Sequence, residues 1–178
     1  MNDEERRRPA FQRPKQWFTK KDWQRVRKVK VFGLTTSNGK NLVFEAPKPW
    51  NASAWADAVR TKVAPFLRRC FPRRTRYQLL LDGEHVLHAP EPKRAMHAAG
   101  ITVLPNWPGY SPDLNPQENV WPWAEQRLRE LERPHDTFEQ FKGRVLTAVE
   151  AYPHGGLIAG MAKRVKELVE RKGANIGK

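Results

Sequence analysis

The chain of 178 residues has a single cysteine, Cys70. One cysteine excludes an internal disulfide framework and any zinc site built on cysteines. Cys70 itself reads as a residue on a helix face. Long apolar runs are missing as well. None approaches the roughly 18 residues that a membrane span requires, so no membrane partner is expected. The opening MNDEERRR lacks the apolar stretch of a secretory signal, and its acids argue against an organelle transit peptide. Phosphate-cradling glycine loops are absent too: Gly155-Gly156 has no Lys-Ser/Thr behind it. The five histidines, His85, His88, His97, His135 and His154, show no metal-ligand spacing. No internal repeat or low-complexity block is seen.

Acidic residues are few beside basic ones. There are 19 Asp and Glu against 33 Lys and Arg, a net charge of +14. Such an excess keeps polyanions close through counterion release. It is unevenly spread. Residues 1–30 hold eleven basic and four acidic residues, half of the excess. Arg6, Arg7 and Arg8 open that segment, and Trp17, Phe18 and Trp23 interleave with it, a nucleic-acid-binding pattern. A second basic run, Arg68, Arg69, Arg73, Arg74 and Arg76, contains no acid. A solvated basic surface, or contact with an acidic protein, is the plainer reading of both runs. Seven Trp, eight Phe and 39% hydrophobic residues provide for a core and argue against a disordered chain.

Along the chain, the charged residues 1–24, with Pro9 and Pro14, read as an extended basic arm. Residues 26–34 alternate apolar and basic, a strand with Val29 and Val31 facing one way. Ser37-Asn38-Gly39-Lys40 turns the chain, and Asn41–Phe44 returns as a second strand. Asn51 or Ser53 caps a helix carrying Trp55, Val59, Val63, Phe66, Leu67 and Cys70 at helical spacing, which Pro65 should kink or end early. Tyr77 to Asp82 is a short apolar strand ending in an acid, of the kind covered on both faces. A helix from about Pro92 to Ala99, stopped by Gly100, and a strand Ile101–Leu104 complete a strand–helix–strand alternation, as in an α/β layer. A Pro- and Asn-rich loop over 105–116 leads to three helical patterns. The first runs to about Leu131. The second opens at Asp136, with Glu139 at capping-box spacing. The third carries Leu157, Met161, Val165, Leu168 and Val169 against Lys and Arg, and that basic side is either a phosphate-facing or a solvated face.

Two segments stand out together. LLLDGEH at 79–85 puts Asp82 at the carboxyl end of a buried strand, where α/β sheets meet their ligands. SPDLNPQENVW at 111–121 puts Glu118 at the start of a helix. Carboxylate oxygens suit hard divalent metals, with water and phosphate completing the shell. Two carboxylates this far apart in sequence occur in most proteins, so the pairing alone carries little.

The residues Ser111 to Trp121 resemble the SPDLNPIEN-V/L-W signature of the mariner superfamily of DDE transposases. Leu104-Pro105-Asn106-Trp107-Pro108 is similar to the lead-in of that signature. Leu79–Asp82 is similar to the strand bearing the family's second catalytic Asp, and residues 29–44 to its hairpin. The resemblance covers roughly residues 26–131. It implies a ribonuclease H-like α/β fold, a mixed sheet flanked by helices, with the basic N-terminal arm and a C-terminal helical segment added. It implies a core over 25–133 and helices over 134–178 packing on it. It further implies Mg²⁺- or Mn²⁺-dependent cleavage and strand transfer of DNA, with Asp82 as second and Glu118 as third metal-binding carboxylate. His88 matches the family's motif His, displaced by one position. That displacement fits the 35 residues between Asp82 and Glu118, one more than the commonest spacing. A eukaryotic member would be nuclear.

Several positions depart from the pattern. The family's first catalytic Asp ends an apolar strand well ahead of the hairpin. The candidate here is Asp3, separated from Asp82 by 78 residues, with no apolar strand before it. Gly83 stands where the family has Asn, and Glu84-His85 where it has Ala-Pro. Pro122 falls inside the helix that carries Glu118, so that helix either starts late or is kinked. No paired helix-turn-helix domains precede the hairpin, so sequence-specific binding of transposon ends is not expected. Three functions stay open: an active transposase or nuclease core, an inactive derivative binding DNA or RNA, and a structural subunit of a large ribonucleoprotein assembly. A homodimer or larger assembly stays open too.

Overall fold

The computed structural model describes residues 28–105, 107, 111–130 and 137–172. The basic arm, with Asp3, Arg6, Arg7 and Arg8, lies outside the described residues.

Strand β1 (Val31–Thr35) pairs antiparallel with β2 (Asn41–Glu45), Gly33 opposite Val43. The turn between them is wider than an Asn-Gly bend. Thr36 accepts from the Gly39 amide at 2.9 Å, and Gly39 alone takes positive φ, at 77°. That is a three-residue loop closed by a left-handed glycine. Alternation along the hairpin sorts its side chains between two layers. Phe32, Leu34, Leu42 and Phe44 enter one core, and Val31 and Val43 face the other. Val29 and Val31 line one cavity together, as the alternation implies.

The first core is built on a long helical stretch. Asn51 caps α1 (Ala52–Ala58), its side-chain oxygen accepting from the Ala54 amide at 2.9 Å. A π-helical turn over Val59–Val63 leads into α2 (Ala64–Cys70). Pro65 does not end the helix early. It sits in the first turn of α2, just after the widened π turn, where a missing N–H costs least. Trp55, Val59 and Val63 are fully buried, and Phe32 stacks at 4.6 Å from Trp55.

Strand β3 (Tyr77–Leu79) pairs parallel with β4 (Ile101–Val103), joined through a 3₁₀ turn (His85–His88) and α3 (Pro90–Ala98). This is the expected strand–helix–strand crossover. Only one face of β3 is closed, however: Tyr77 and Leu79 are buried while Gln78 is exposed. Antiparallel and parallel pairing are thus both present, in two separate two-stranded pieces.

Helix α4 (Gln117–Glu130) packs on β1 and on α5 (Phe138–Glu150), which also packs on β2. The α4 helix continues past Pro122. The capping box of α5 belongs to Thr137 and Gln140, one position later than expected. The Thr137 hydroxyl accepts from the Gln140 amide at 3.2 Å, and the Gln140 side chain accepts from the Thr137 amide at 2.8 Å. The third helical pattern is split into α6 (Gly155–Ala159) and α7 (Met161–Glu170) at Gly160. Its stripe is only partly used: Leu157 is buried, whereas Val169 is 71% exposed.

Candidate functional site

Asp82 follows β3 by three residues. Leu79 and Leu81 drop into the core beside Leu87, which pins the 3₁₀ turn. The chain has to reverse outward at Asp82, and two hydrogen bonds fix how. The Asp82 carboxylate accepts from the Gly83 amide at 2.7 Å. His88 Nε2 donates to the Asp82 carbonyl at 2.7 Å, closing the loop on itself. His88 therefore acts on the main chain of the strand end, and the Asp82 side chain is exposed.

Glu118 lies in the first turn of α4. The turn ahead of it is assembled from the SPDLN residues. Ser111's carbonyl accepts from the Leu114 and Asn115 amides at 3.2 and 3.1 Å, and the Asn115 side chain accepts from the Gln117 amide at 3.1 Å. A carboxylate at a helix N-terminus is favoured by the helix dipole. Close packing on the hairpin sets its depth. A Cβ at Gly33 would stand 2.5 Å from Gln117 Nε2 and 3.1 Å from Trp121, so these two side chains would have to shift to admit one. Gln117 also anchors a buried polar chain. The Thr35 hydroxyl donates to Gln117 Oε1 at 3.1 Å, Thr35 meets His154 Nδ1 at 2.7 Å, and Asn41 meets His154 Nε2 at 2.9 Å. Burial pushes the His154 pKa below its usual 6.5, against the opposing bond to the Val149 carbonyl.

Asp82 and Glu118 line one cleft of about 140 Å³, together with Glu84, Asn115, Gln117 and Trp121. Glu84 is already committed: Lys30 holds it at 2.6 Å and the Trp50 indole donates to it at 3.0 Å. Asp113 is not among the described residues lining this cleft. The donor set suits a hard cation, which commonly takes one or two carboxylates and completes its shell with water and substrate phosphate. Among the described residues no cluster of three His, Cys, Asp or Glu forms a ready-made metal cage. Asp3 lies outside the described residues.

Arg68, Arg69, Arg73, Arg74 and Arg76 are all exposed, between the end of α2 and the start of β3. Arg74 lies over the Phe71 ring at 5.5 Å. They flank the opposite end of β3 from Asp82. Six residues from Arg76 to Asp82 span at most about 20 Å, some six nucleotide steps of one strand. Gln117, and the Lys30–Glu84–Trp50 cluster, were not singled out in the sequence. The signal for Gln117 was its place between the Asn115 cap and Glu118. Nothing local pairs Lys30 with an acid 54 positions away.

Comparison with known proteins gives three findings. Residues 1–142 match the family described as DDE superfamily endonuclease. The Tc3 transposase of Caenorhabditis elegans is 23% identical over 148 residues, covering 82% of this chain and 44% of that protein. The chain therefore spans less than half the length of that relative. A solved structure of the Mos1 transposase catalytic domain with raltegravir and Mg superposes with a TM-score of 0.63 at 19% identity, covering 84% of each chain. The fold is that of a transposase catalytic domain, the ribonuclease H-like α/β arrangement expected from the SPDLN signature.

Proposed function

Starting from the fact that the chain belongs to the DDE superfamily endonuclease family, we propose that it binds DNA and carries out metal-dependent cleavage and strand transfer of the phosphodiester backbone. The observation that carries this reading is the meeting of Asp82 and Glu118 in one cleft, from elements 35 residues apart. In this reading Asp82 and Glu118, with Asp3 as the first carboxylate of the three, would hold Mg²⁺ or Mn²⁺. The bound metal supplies positive charge to the attacking and leaving oxygens of an in-line displacement. The chain's own residues do the rest. His88 and the Gly83 amide hold the Asp82 turn in place. Asn115 caps the turn that leads to Glu118. The exposed Arg68–Arg76 run, with Arg6, Arg7 and Arg8, contacts DNA phosphates and sets affinity without reading sequence. The basic arm over 1–24, the core over 25–133 and the helices over 134–178 are the corresponding working parts.

The test is nicking of supercoiled DNA with Mg²⁺ or Mn²⁺. Asp82→Asn and Glu118→Gln should each lower nicking by a hundredfold or more while leaving salt-dependent DNA binding within a few-fold. Cleavage that persists in both variants, or DNA binding with no cleavage by the unaltered protein, would refute the catalytic assignment.

A further inference from the structure

Helix α4 presents Glu118 to the cleft, so its rotation about its own axis decides where that carboxylate lies. Val120 and Ala124 seat the helix in the second core. Apolar contacts of this kind are non-directional, and they hold a helix in place without fixing its rotation. Hydrogen bonds and edge-on ring contacts are directional. Two directional chains of contacts end on α4, and both start from one residue, His154.

His154 is buried between α5 and α6. Asn41 meets its Nε2 at 2.9 Å, and the same Asn41 amide donates to the Glu150 carbonyl at 3.0 Å. The first chain leaves from Nδ1. Thr35 lies 2.7 Å from it, and the Thr35 hydroxyl donates to Gln117 Oε1 at 3.1 Å. The second chain is aromatic. The His154 ring stands edge-on to Tyr152 at 5.2 Å, and Tyr152 stands edge-on to Trp123 at 5.5 Å. Gln117 and Trp123 both belong to α4 and lie about 9 Å apart along its axis. A helix held at one point can swivel, whereas two points set its height and its rotation together. Glu118 follows Gln117 about 100° further round the helix. The bond that turns Gln117 to the hairpin therefore turns Glu118 toward the cleft it shares with Asp82.

Stability does not explain the choice of Gln117. Its Nε2 is buried with no acceptor among the described residues. An apolar side chain of the same length would avoid that cost. What glutamine adds is the directional bond to Thr35.

We infer that His154 is a positioning residue for Glu118: through Thr35 to Gln117, and through Tyr152 to Trp123, it clamps α4 at two points and sets the angle at which Glu118 enters the cleft. The inference rests on the reading of Asp82 and Glu118 as metal-binding carboxylates. The surface of a helix lies about 5–6 Å from its axis, so a turn of about 10° moves Glu118 by about 1 Å. A displacement of that size costs up to about a hundredfold in rate.

The experiment measures Mn²⁺ binding to the full chain by isothermal titration calorimetry, beside nicking of supercoiled DNA. Thr35→Val and His154→Leu should each weaken Mn²⁺ binding and slow nicking by about tenfold or more. Thr35→Val keeps the side-chain shape and carries the test if His154→Leu fails to fold. Thr35→Ser retains the hydroxyl and should stay within about threefold of the unaltered chain. Val63→Ala controls for lost stability, because Val63 is fully buried in the first core and touches neither chain of contacts. It should leave Mn²⁺ binding within about threefold. The inference is overturned if Thr35→Ser is as damaging as Thr35→Val, or if Val63→Ala is as damaging as either. Glu118→Gln separates failure of the clamp from failure of the site. If Glu118→Gln weakens Mn²⁺ binding and Thr35→Val does not, the clamp alone falls. If Glu118→Gln leaves Mn²⁺ binding unchanged, Glu118 is no metal ligand and both readings fall.

Discussion

Gly100 gives the sharpest test of how Asp82 is positioned. It ends α3 in the left-handed region, with φ at 73°, and its carbonyl accepts from the Tyr77 amide at 2.9 Å. A Cβ there would stand 2.2 Å from the Thr75 carbonyl oxygen, which is main chain and cannot swing aside. Gly100→Ala therefore carries two penalties. The left-handed conformation costs about 1–2 kcal/mol for a residue with a Cβ. Relieving the clash moves the lead-in to β3 and weakens the Tyr77–Gly100 bond, worth about 1 kcal/mol. Together these come to about 2–3 kcal/mol, a large share of the 5–15 kcal/mol typical of a domain. Gly143 is the control. It lies inside α5, and an added Cβ there meets nothing within 4 Å. Gly143→Ala should stabilise the protein by about 0.5–1 kcal/mol, because glycine is a poor helix former. Urea unfolding followed by tryptophan fluorescence reads both, as midpoint shifts of opposite sign at an unchanged slope. If Gly100→Ala cost less than 1 kcal/mol, or both substitutions moved the midpoint alike, the account of how β3 is seated would be wrong.

The His154 network makes two further predictions. Burial holds the His154 pKa below 6.5 in the folded chain, so on acidification the unfolded chain takes up the proton first. Stability should fall as the pH drops below about 6.5 and level off once the folded-state pKa is passed, with a slope of at most about 1.4 kcal/mol per pH unit. Urea midpoints at pH 7.5 and 5.5 should differ in the unaltered protein, and the difference should shrink in His154→Gln. Thr35→Val keeps the shape but leaves Gln117 Oε1 and His154 Nδ1 without their shared hydroxyl. It should cost about 1–3 kcal/mol in thermal or urea unfolding, and a neutral result would mean that water replaces the hydroxyl.

Local signals in the sequence carried much of the fold. Period-two alternation gave the hairpin and the two layers its faces meet. The Asn51 cap and the spacing of Trp55, Val59 and Val63 gave the first helix and its buried face. Gly100 marked the end of α3 because a left-handed helix stop selects glycine. Features set by tertiary packing were not legible. Pro65 and Pro122 read as helix breakers, yet neighbouring turns and packing carry both helices through. The exposed Gln78 shows one open face on a strand whose apolar run implied two covered ones. Glu118 was singled out through the resemblance of the SPDLN segment and Asp82 through that of the Leu79–Asp82 strand, not through spacing. Lys30 and Trp50, which hold Glu84, come from distant segments with no shared pattern.

The site's geometry comes from packing on two independent supports. Asp82 hangs from a strand end tied down by Leu81, Leu87 and the His88 bond. Glu118 rides on a helix that packs on the hairpin, with Gln117 and Trp121 lying against Gly33. Neither support depends on the other carboxylate, so the pair can be held together without any attraction between them. Lys30 holds the third carboxylate of the cleft, Glu84, at 2.6 Å, so that group is already paired.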